Sequence, residues 1–372
     1  MVLFVLTHVP DPRMNKRIEA LKQLDDVSVI CVRRKTQDIY ESNIEGVTYH
    51  VIDMDMPPIK QIIKRMVISK KFQMIVSKLL KEINPTCIYC EGLDVLIEIA
   101  KYKAYNKDVK VIYEVADLRE IFIEDIVSIK KKVQRVILEI MEKKGFVCVD
   151  NLVITSEKFY EKHYYKLISK DKVIFLPNMP ELKFFSNYKK KNAGPFTVGF
   201  IGGIRYLEQM KMLVDAAEEA GVNVFFAGAG GTDHEYDEIN TYCKGKNHVR
   251  FTGKYNYEKD IASIYGMVDC VYAVYDAGNP NVRIALPNKL YEAVYCELPI
   301  IVAKGTYLQE VVEQWGVGVA VGHKDKTELS SQLKDLAKKR ERYMECVLAC
   351  REQKHNINND ACVSKLSAGL IG

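Results

Sequence analysis

Short runs of β-branched and aromatic residues alternate along the chain with longer segments whose apolar positions recur at helical spacing. VLFVL, VSVICV, VTYHVI, TCIYC, KVIYEV, LVIT and KVIFL read as buried strands, and the amphipathic segments between them read as crossover helices, the signature of a parallel sheet. The alternation pauses over residues 178–196, NMPELKFFSNYKKKNAGPF, where two prolines and a lysine run leave no clear period, as in a linker. It resumes with FTVGFI, VNVFFAG, VRFTG, DCVYAVY, PIIVA and GVGVAV, followed by a long charged helix and a polar tail. The pattern predicts an α/β chain of two Rossmann-like halves with a cleft between them. A first domain would span 1–180, a linker 181–196 and a second domain 197–345, with a helix and tail over 346–372 returning toward the first.

With 372 residues and 48% hydrophobic content, the chain can fill two cores of ordinary domain size. A net charge of +5 is far from the concentrated basic stripes of nucleic-acid binders, so no nucleic-acid partner is expected. The whole excess lies before residue 180, which assigns any anionic partner to the first half. Ten cysteines scattered through apolar runs suit a reducing cytosol. Cys87 and Cys90, three apart in one strand, point to opposite faces and suggest neither a redox nor a zinc role. No basic leader and no stretch near the roughly 18–20 apolar residues of a spanning helix is found, so a cytoplasmic protein is expected. Residues 59–83, IKQIIKRMVISKKFQMIVSKLLKEI, combine apolar residues with many lysines and one acid. Such a helix suits peripheral contact with an anionic membrane at its inner face; ordinary packing on the sheet explains the same pattern, and both can hold.

In open parallel sheets ligands sit beyond the carboxyl ends of strands, at helix N-termini. After the first strand, THVPDPRMNKRIEAL places Asp11 as N-cap, Pro12 at the first helical position and Met14, Ile18 and Leu21 on the buried stripe. Arg13 and Lys16 then face away from the core near the cleft mouth, beside His8 at the strand end. No G-x-G-x-x-G follows, so neither a nicotinamide nor a flavin cofactor is expected. In the second half, Gly202 and Gly203 form a tight turn that lets backbone approach a phosphate, and Arg205 adds a planar donor fork. A plain turn with a solvated Arg fits that stretch equally well. FFAGAGG, with Gly228, is a second small-residue turn. PNKLYEAVYCELPIIV reads as a helix beginning near Pro287, with Leu290, Ala293 and Val294 inward and Lys289 and Glu292 sharing another face. Asn288, Lys289 and the helix N-terminus would hold a diphosphate, and Glu292 would accept hydrogen bonds from sugar hydroxyls. An exposed ion pair between Lys289 and Glu292 is the plainer alternative. Asp53-Met-Asp55 has the form of a metal-binding triplet but lies in the first half, so no metal is expected.

The Gly-Gly-x-Arg turn, AGAGG, the VRFTGKYNYEKDIASIYGMVDCVYAVY unit and PNKLYEAVYCELPIIV, in that order, resemble the family 4 glycosyltransferases of the GT-B fold. In the first half DPRMNKRIEAL, IYEVADLRE, VITSE and VIFLPN are similar as well. The resemblance implies metal-independent transfer of a hexose from a UDP- or GDP-sugar, with retention, to a glycan or lipid-linked acceptor in cell-surface polysaccharide assembly. It implies Arg205 and Lys289 as stabilisers of the departing diphosphate and Asp117 near the acceptor hydroxyl. Donor contacts would come from Gly202, Gly203, Arg205, Gly228, Asn288, Lys289, Leu290 and Glu292, and acceptor contacts from His8, Arg13, Asp117 and Arg119. The chain departs from the family where Ile284 replaces a usual Glu, leaving Asp276, Asn279 or Asn281 to substitute, where Ala116-Asp117 replaces a frequent His-Asp, and where Glu297 replaces a helix-ending Gly. A catalytically silent binding subunit and a nucleotide-sugar epimerase of the same architecture are the alternatives.

Overall fold

The structure, a computed structural model, describes residues 1–34, 44–55, 62–124, 128–190, 194–230, 233–358 and 364–368. It divides into two units, residues 1–177 with 360–372, and residues 178–359. In the first, β1 (Val2–Val5), β2 (Val27–Arg33), β3 (Thr48–Asp53), β4 (Cys87–Glu91), β5 (Lys110–Val115), β6 (Asn151–Ile154) and β7 (Val173–Phe175) form one parallel sheet in the order β3-β2-β1-β4-β5-β6-β7. The helices are α1 (Pro12–Lys22), α2 (Ile62–Ile83), α3 (Leu93–Tyr105), α4 (Ile129–Phe146) and α5 (Glu157–Lys162). In the second unit β8 (Thr197–Ile201), β9 (Asn223–Ala227), β10 (Val249–Gly253), β11 (Cys270–Ala273), β12 (Ile300–Ala303) and β13 (Gly318–Val321) run parallel in the order β10-β9-β8-β11-β12-β13. Its helices are α6 (Leu207–Ala220), α7 (Asp233–Tyr242), α8 (Tyr257–Gly266), α9 (Pro280–Ile284), α10 (Asn288–Tyr295), α11 (Tyr307–Trp315), α12 (Lys326–Lys338) and α13 (Arg340–Gln353). Both orders reverse about the first strand of their unit, so each unit has a switch point, between β1 and β4 and between β8 and β11.

The strands form where the apolar runs predict, and the inner strands of each sheet are covered on both faces, while β3 and β10 at the sheet edges stay partly exposed. β1 and β2 are buried almost throughout, and Phe4 stacks on Tyr89 of β4 at 4.8 Å. Asp11 caps α1, accepting from the Met14 N–H at 2.8 Å, and Met14, Ile18 and Leu21 pack inward. The second core joins Val198 and Phe200 of β8 to Met210, Leu213 and Val214 of α6 and to Leu329 and Leu333 of α12.

Two expectations need correction. The stretch expected as a linker belongs to the second unit, because its aromatic residues find a surface there. Phe185 is buried, with its ring 5.8 Å from that of Tyr265 and 5.6 Å from that of Tyr295, and the Tyr188 hydroxyl donates to the Cys296 carbonyl at 2.8 Å. Residues 191–193 of that stretch lie outside the described residues. Of the expected tail, α13 and the chain to residue 358 stay with the second unit through buried Cys346, Val347 and Cys350. Leu366 is buried in the first core, while residues 359–363 and 369–372 lie outside the described residues.

Glu297, which stands where a glycine would commonly end α10, adopts φ of 56°. Its carboxylate accepts from Nη2 of Arg351, in the last turn of α13, at 2.8 Å and from Nζ of Lys354, just beyond that helix, at 3.2 Å.

Candidate functional site

In the second unit, beside the switch point, the turns that follow β8 and β9 are zipped side by side. The Gly202 N–H donates to the Ala227 carbonyl at 2.7 Å and the Ile204 N–H to that of Ala229 at 2.9 Å. Gly202 and Gly228 both have positive φ, 130° and 138°. A Cβ on Gly228 would stand 2.1 Å from the Gly202 carbonyl oxygen, so the approach of the two turns requires glycine. Gly228→Ala is expected to destabilise the protein by about 2–4 kcal/mol, read as a lower urea midpoint at unchanged slope.

Lys289, the second residue of α10, reaches back over this turn. Its Nζ lies 4.8 Å from the centre of the Phe200 ring and 5.5 Å from that of Tyr275, which flank the ends of β8 and β11. A Cβ on Gly202 would stand 2.9 Å from this Nζ. Lys289 is only 9% exposed and pairs with no carboxylate among the described residues. Arg205 is exposed and likewise has no ion pair among them, and a Cβ on Gly203 would stand 3.9 Å from its Nε. The two cations therefore flank the Gly202–Gly203 turn. Neither α6 nor α10 has a side-chain N-cap, so the first-turn N–H groups of both lack that partner. Tyr206, before α6, is held at φ 58° and its ring meets that of Tyr275 at 5.5 Å.

Glu292 does not pair with Lys289. Its carboxylate, 2% exposed, accepts from the Tyr257 hydroxyl at 2.6 Å, the Tyr265 hydroxyl at 2.5 Å and Asn288 Nδ2 at 3.0 Å. Burial and the Glu292 charge together push both tyrosines up, so they remain donors. The ion-pair alternative is thus set aside, and Asn288 is tied to Glu292. The Leu290 side chain is fully buried and its N–H, in the first turn of α10, donates to the Pro287 carbonyl at 3.2 Å. Ile284 is buried at the end of α9. Of its suggested substitutes, Asn279 caps α9 and Asp276 lies 3.0 Å from His323.

The first unit also gathers charge at its switch point. Arg13 is corrected from an outward-facing residue to a buried one. Its guanidinium donates to Glu114 Oε1 at 2.6 Å and Glu91 Oε2 at 2.9 Å, because the ends of β4 and β5 carry those two acids. Arg17 Nε lies 3.5 Å from Glu114 Oε2, and the Tyr89 hydroxyl donates to Glu114. His8 Nε2 lies 3.5 Å from Glu91, whose hydrogen bond outweighs burial and raises the imidazole above its ordinary range. Asp117 and Arg119 are exposed on the loop after β5, Arg119 directly before the short turn Glu120–Phe122. Asp53 is held by Arg33 at 2.7 and 3.0 Å. Sequence reasoning missed Glu91 and Glu114, whose signal was an acid closing or interrupting an apolar strand, and it missed Tyr257 and Tyr265, for which no local signal exists.

Residues 183–353 match the family model described as glycosyl transferases group 1. The succinoglycan biosynthesis protein ExoL of Rhizobium meliloti is 24% identical over 266 residues, covering 67% of this chain, and the chain spans 64% of that relative's length. Among solved structures, HepE from Anabaena in complex with UDP superposes with a TM-score of 0.71 at 14% identity, covering 99% of both chains. Sucrose-phosphate synthase from Thermosynechococcus elongatus gives 0.74 at 14% identity, covering 100% of this chain and 98% of its own. The fold is GT-B, two Rossmann-like domains, as the sequence resemblance implied.

Proposed function

We propose that this protein is a retaining, metal-independent hexosyltransferase that takes a sugar from a UDP- or GDP-sugar and passes it to a glycan or lipid-linked acceptor in polysaccharide biosynthesis. The observation that carries this reading is the buried Lys289 ammonium, set over two rings at the Gly202–Gly203 turn without a carboxylate partner among the described residues. Burying an unpaired ammonium is costly unless an anion joins it, and a diphosphate supplies that anion. The match to group 1 glycosyl transferases over the same unit supports the assignment, and the UDP complex of HepE favours uracil as the base.

In the proposed step the bond between the anomeric carbon and the diphosphate oxygen breaks, the electron pair leaves with the diphosphate, and the acceptor oxygen bonds to the same face of the sugar. The acceptor proton passes to the departing phosphate oxygen. Arg205 and Lys289 act as catalytic residues by stabilising the charge that builds there, worth several kcal/mol in a preorganised site. Gly202, Gly203 and Gly228 let the backbone approach the phosphates. Glu292 has a fourth lone-pair position beyond its three protein donors, which a ribose hydroxyl would use. Asp117, with His8 and Arg119, is assigned to the acceptor.

A panel of nucleotide sugars with each base tests the reading. One donor is expected to raise the melting temperature and to undergo slow hydrolysis that persists in EDTA, the released sugar keeping its anomeric configuration by NMR. A metal requirement would contradict the mechanism. Ile284 favours one second reading, a binding subunit without turnover, which predicts a melting shift with no hydrolysis or transfer.

A further inference from the structure

Helix α4 is apolar on two opposite sides. Toward the protein it buries Glu142, Gly145 and Phe146 and approaches α3 so closely that a Cβ on Gly145 would stand 2.8 Å from the Leu96 side chain. On the other side Ile129, Val133, Val136, Ile137 and Ile140 are between 49 and 79% exposed. Their spacing of i, i+4, i+7, i+8 and i+11 makes one stripe about 100° wide, turned away from the packing positions. Contiguous exposed apolar surface of this kind marks an interaction site.

The charge around the stripe selects the occupant. Lys130 and Lys132 border it and Lys143 and Lys144 extend it, all exposed and none ion-paired among the described residues. Within α4 the one acid outside the buried side, Glu139, accepts from Arg135 at 3.0 Å. A second copy of the chain related by a two-fold axis would set these lysines against their equivalents. An anionic bilayer supplies both an apolar boundary for the stripe and phosphates for the lysines. The sequence pointed instead to residues 59–83, of which 59–61 lie outside the described residues. There, among the described side chains, Phe72, Val76 and Leu80 of α2 are buried, and the exposed Val67, Met74 and Ile75 make a shorter stripe than that of α4.

We propose that α4 lies in the plane of an anionic membrane surface, with its isoleucines and valines at the acyl boundary and its lysines on headgroup phosphates. This stands independently of the nucleotide-sugar reading, and its test uses no activity. The full chain is sedimented with phosphatidylcholine vesicles containing about 30 mol% phosphatidylglycerol, and with phosphatidylcholine alone. Salt-sensitive binding to the anionic vesicles is expected, at least about tenfold stronger than to the neutral ones. Ile137→Gln/Ile140→Gln, and separately Lys130→Gln/Lys132→Gln/Lys143→Gln/Lys144→Gln, are each expected to weaken it at least about tenfold at unchanged melting temperature. Lys71→Gln/Lys78→Gln on α2 is expected to change it less than about threefold. The proposal is overturned by absence of vesicle binding, by wild-type binding of either α4 variant, or by the main loss falling on the α2 variant. A doubling of mass in light scattering that Ile137→Gln/Ile140→Gln abolishes would assign the stripe to a second copy and overturn it too.

Discussion

Replacing Arg205 and Lys289 together by alanine is expected to abolish the rise in melting temperature that UDP or GDP produces in the parent protein. A ligand at about 100 times its Kd stabilises the folded state by about 2.7 kcal/mol, a shift of several degrees for a protein of this size. Charge-assisted bonds to phosphate are the strongest contacts the site offers, so losing both cations should weaken binding by about 10³-fold or more. Lys289 also fills space over Phe200 and Tyr275, and Lys289→Met, which keeps the aliphatic stem, separates the two contributions. That variant should melt near the parent temperature without ligand and still fail to respond to nucleotide. A retained response would place the diphosphate elsewhere and remove the functional assignment.

Arg13→Ala is expected to cost about 3–5 kcal/mol, because it leaves the Glu114 carboxylate buried beside Glu91 with Arg17 as its remaining cation. The melting temperature should fall by about 10 °C. Glu114→Gln should also destabilise, and the two substitutions together should cost less than their sum, since each removes the other's reason to be paired. The network has a pH signature. Burial pushes the Glu114 carboxyl up, but Arg13 and Arg17 and the Tyr89 hydrogen bond outweigh it and hold it below the ordinary carboxylate range. A depressed folded-state value means that this stabilisation is present above the unfolded value and is lost as pH falls through the folded one. Arg13→Ala should therefore flatten the acid limb of the stability profile, and an unchanged limb would show that other carboxylates dominate it.

All thirteen strands were legible in the chain because each is a short apolar run closed by turn residues, a property local enough to read. The Gly202–Gly203 turn and the placement of Arg205 and Lys289 beside it were legible because each lies at a strand end or a helix start that the local pattern marks. Arg13 was misread because a charged residue on an amphipathic helix defaults to solvent, and only the sheet shows that Glu91 and Glu114 come to meet it. Glu292 was read as an open acceptor because its tyrosine donors lie 35 and 27 residues earlier, beyond any periodicity. The lysine-rich segment 59–83 drew the membrane assignment by composition, whereas the sidedness that distinguishes α4 depends on which stripe neighbouring elements cover.

Glu297 gives the site helix an unusual anchor. A glycine ending α10 would accept the left-handed backbone without help, whereas here that conformation is underwritten by two cations of the α13 region. Such a fastening is electrostatic, so ionic strength and acid weaken it where they would not touch a glycine. The far end of α10 is consequently tuned by solution conditions, while its near end, which carries Lys289, is fixed by packing.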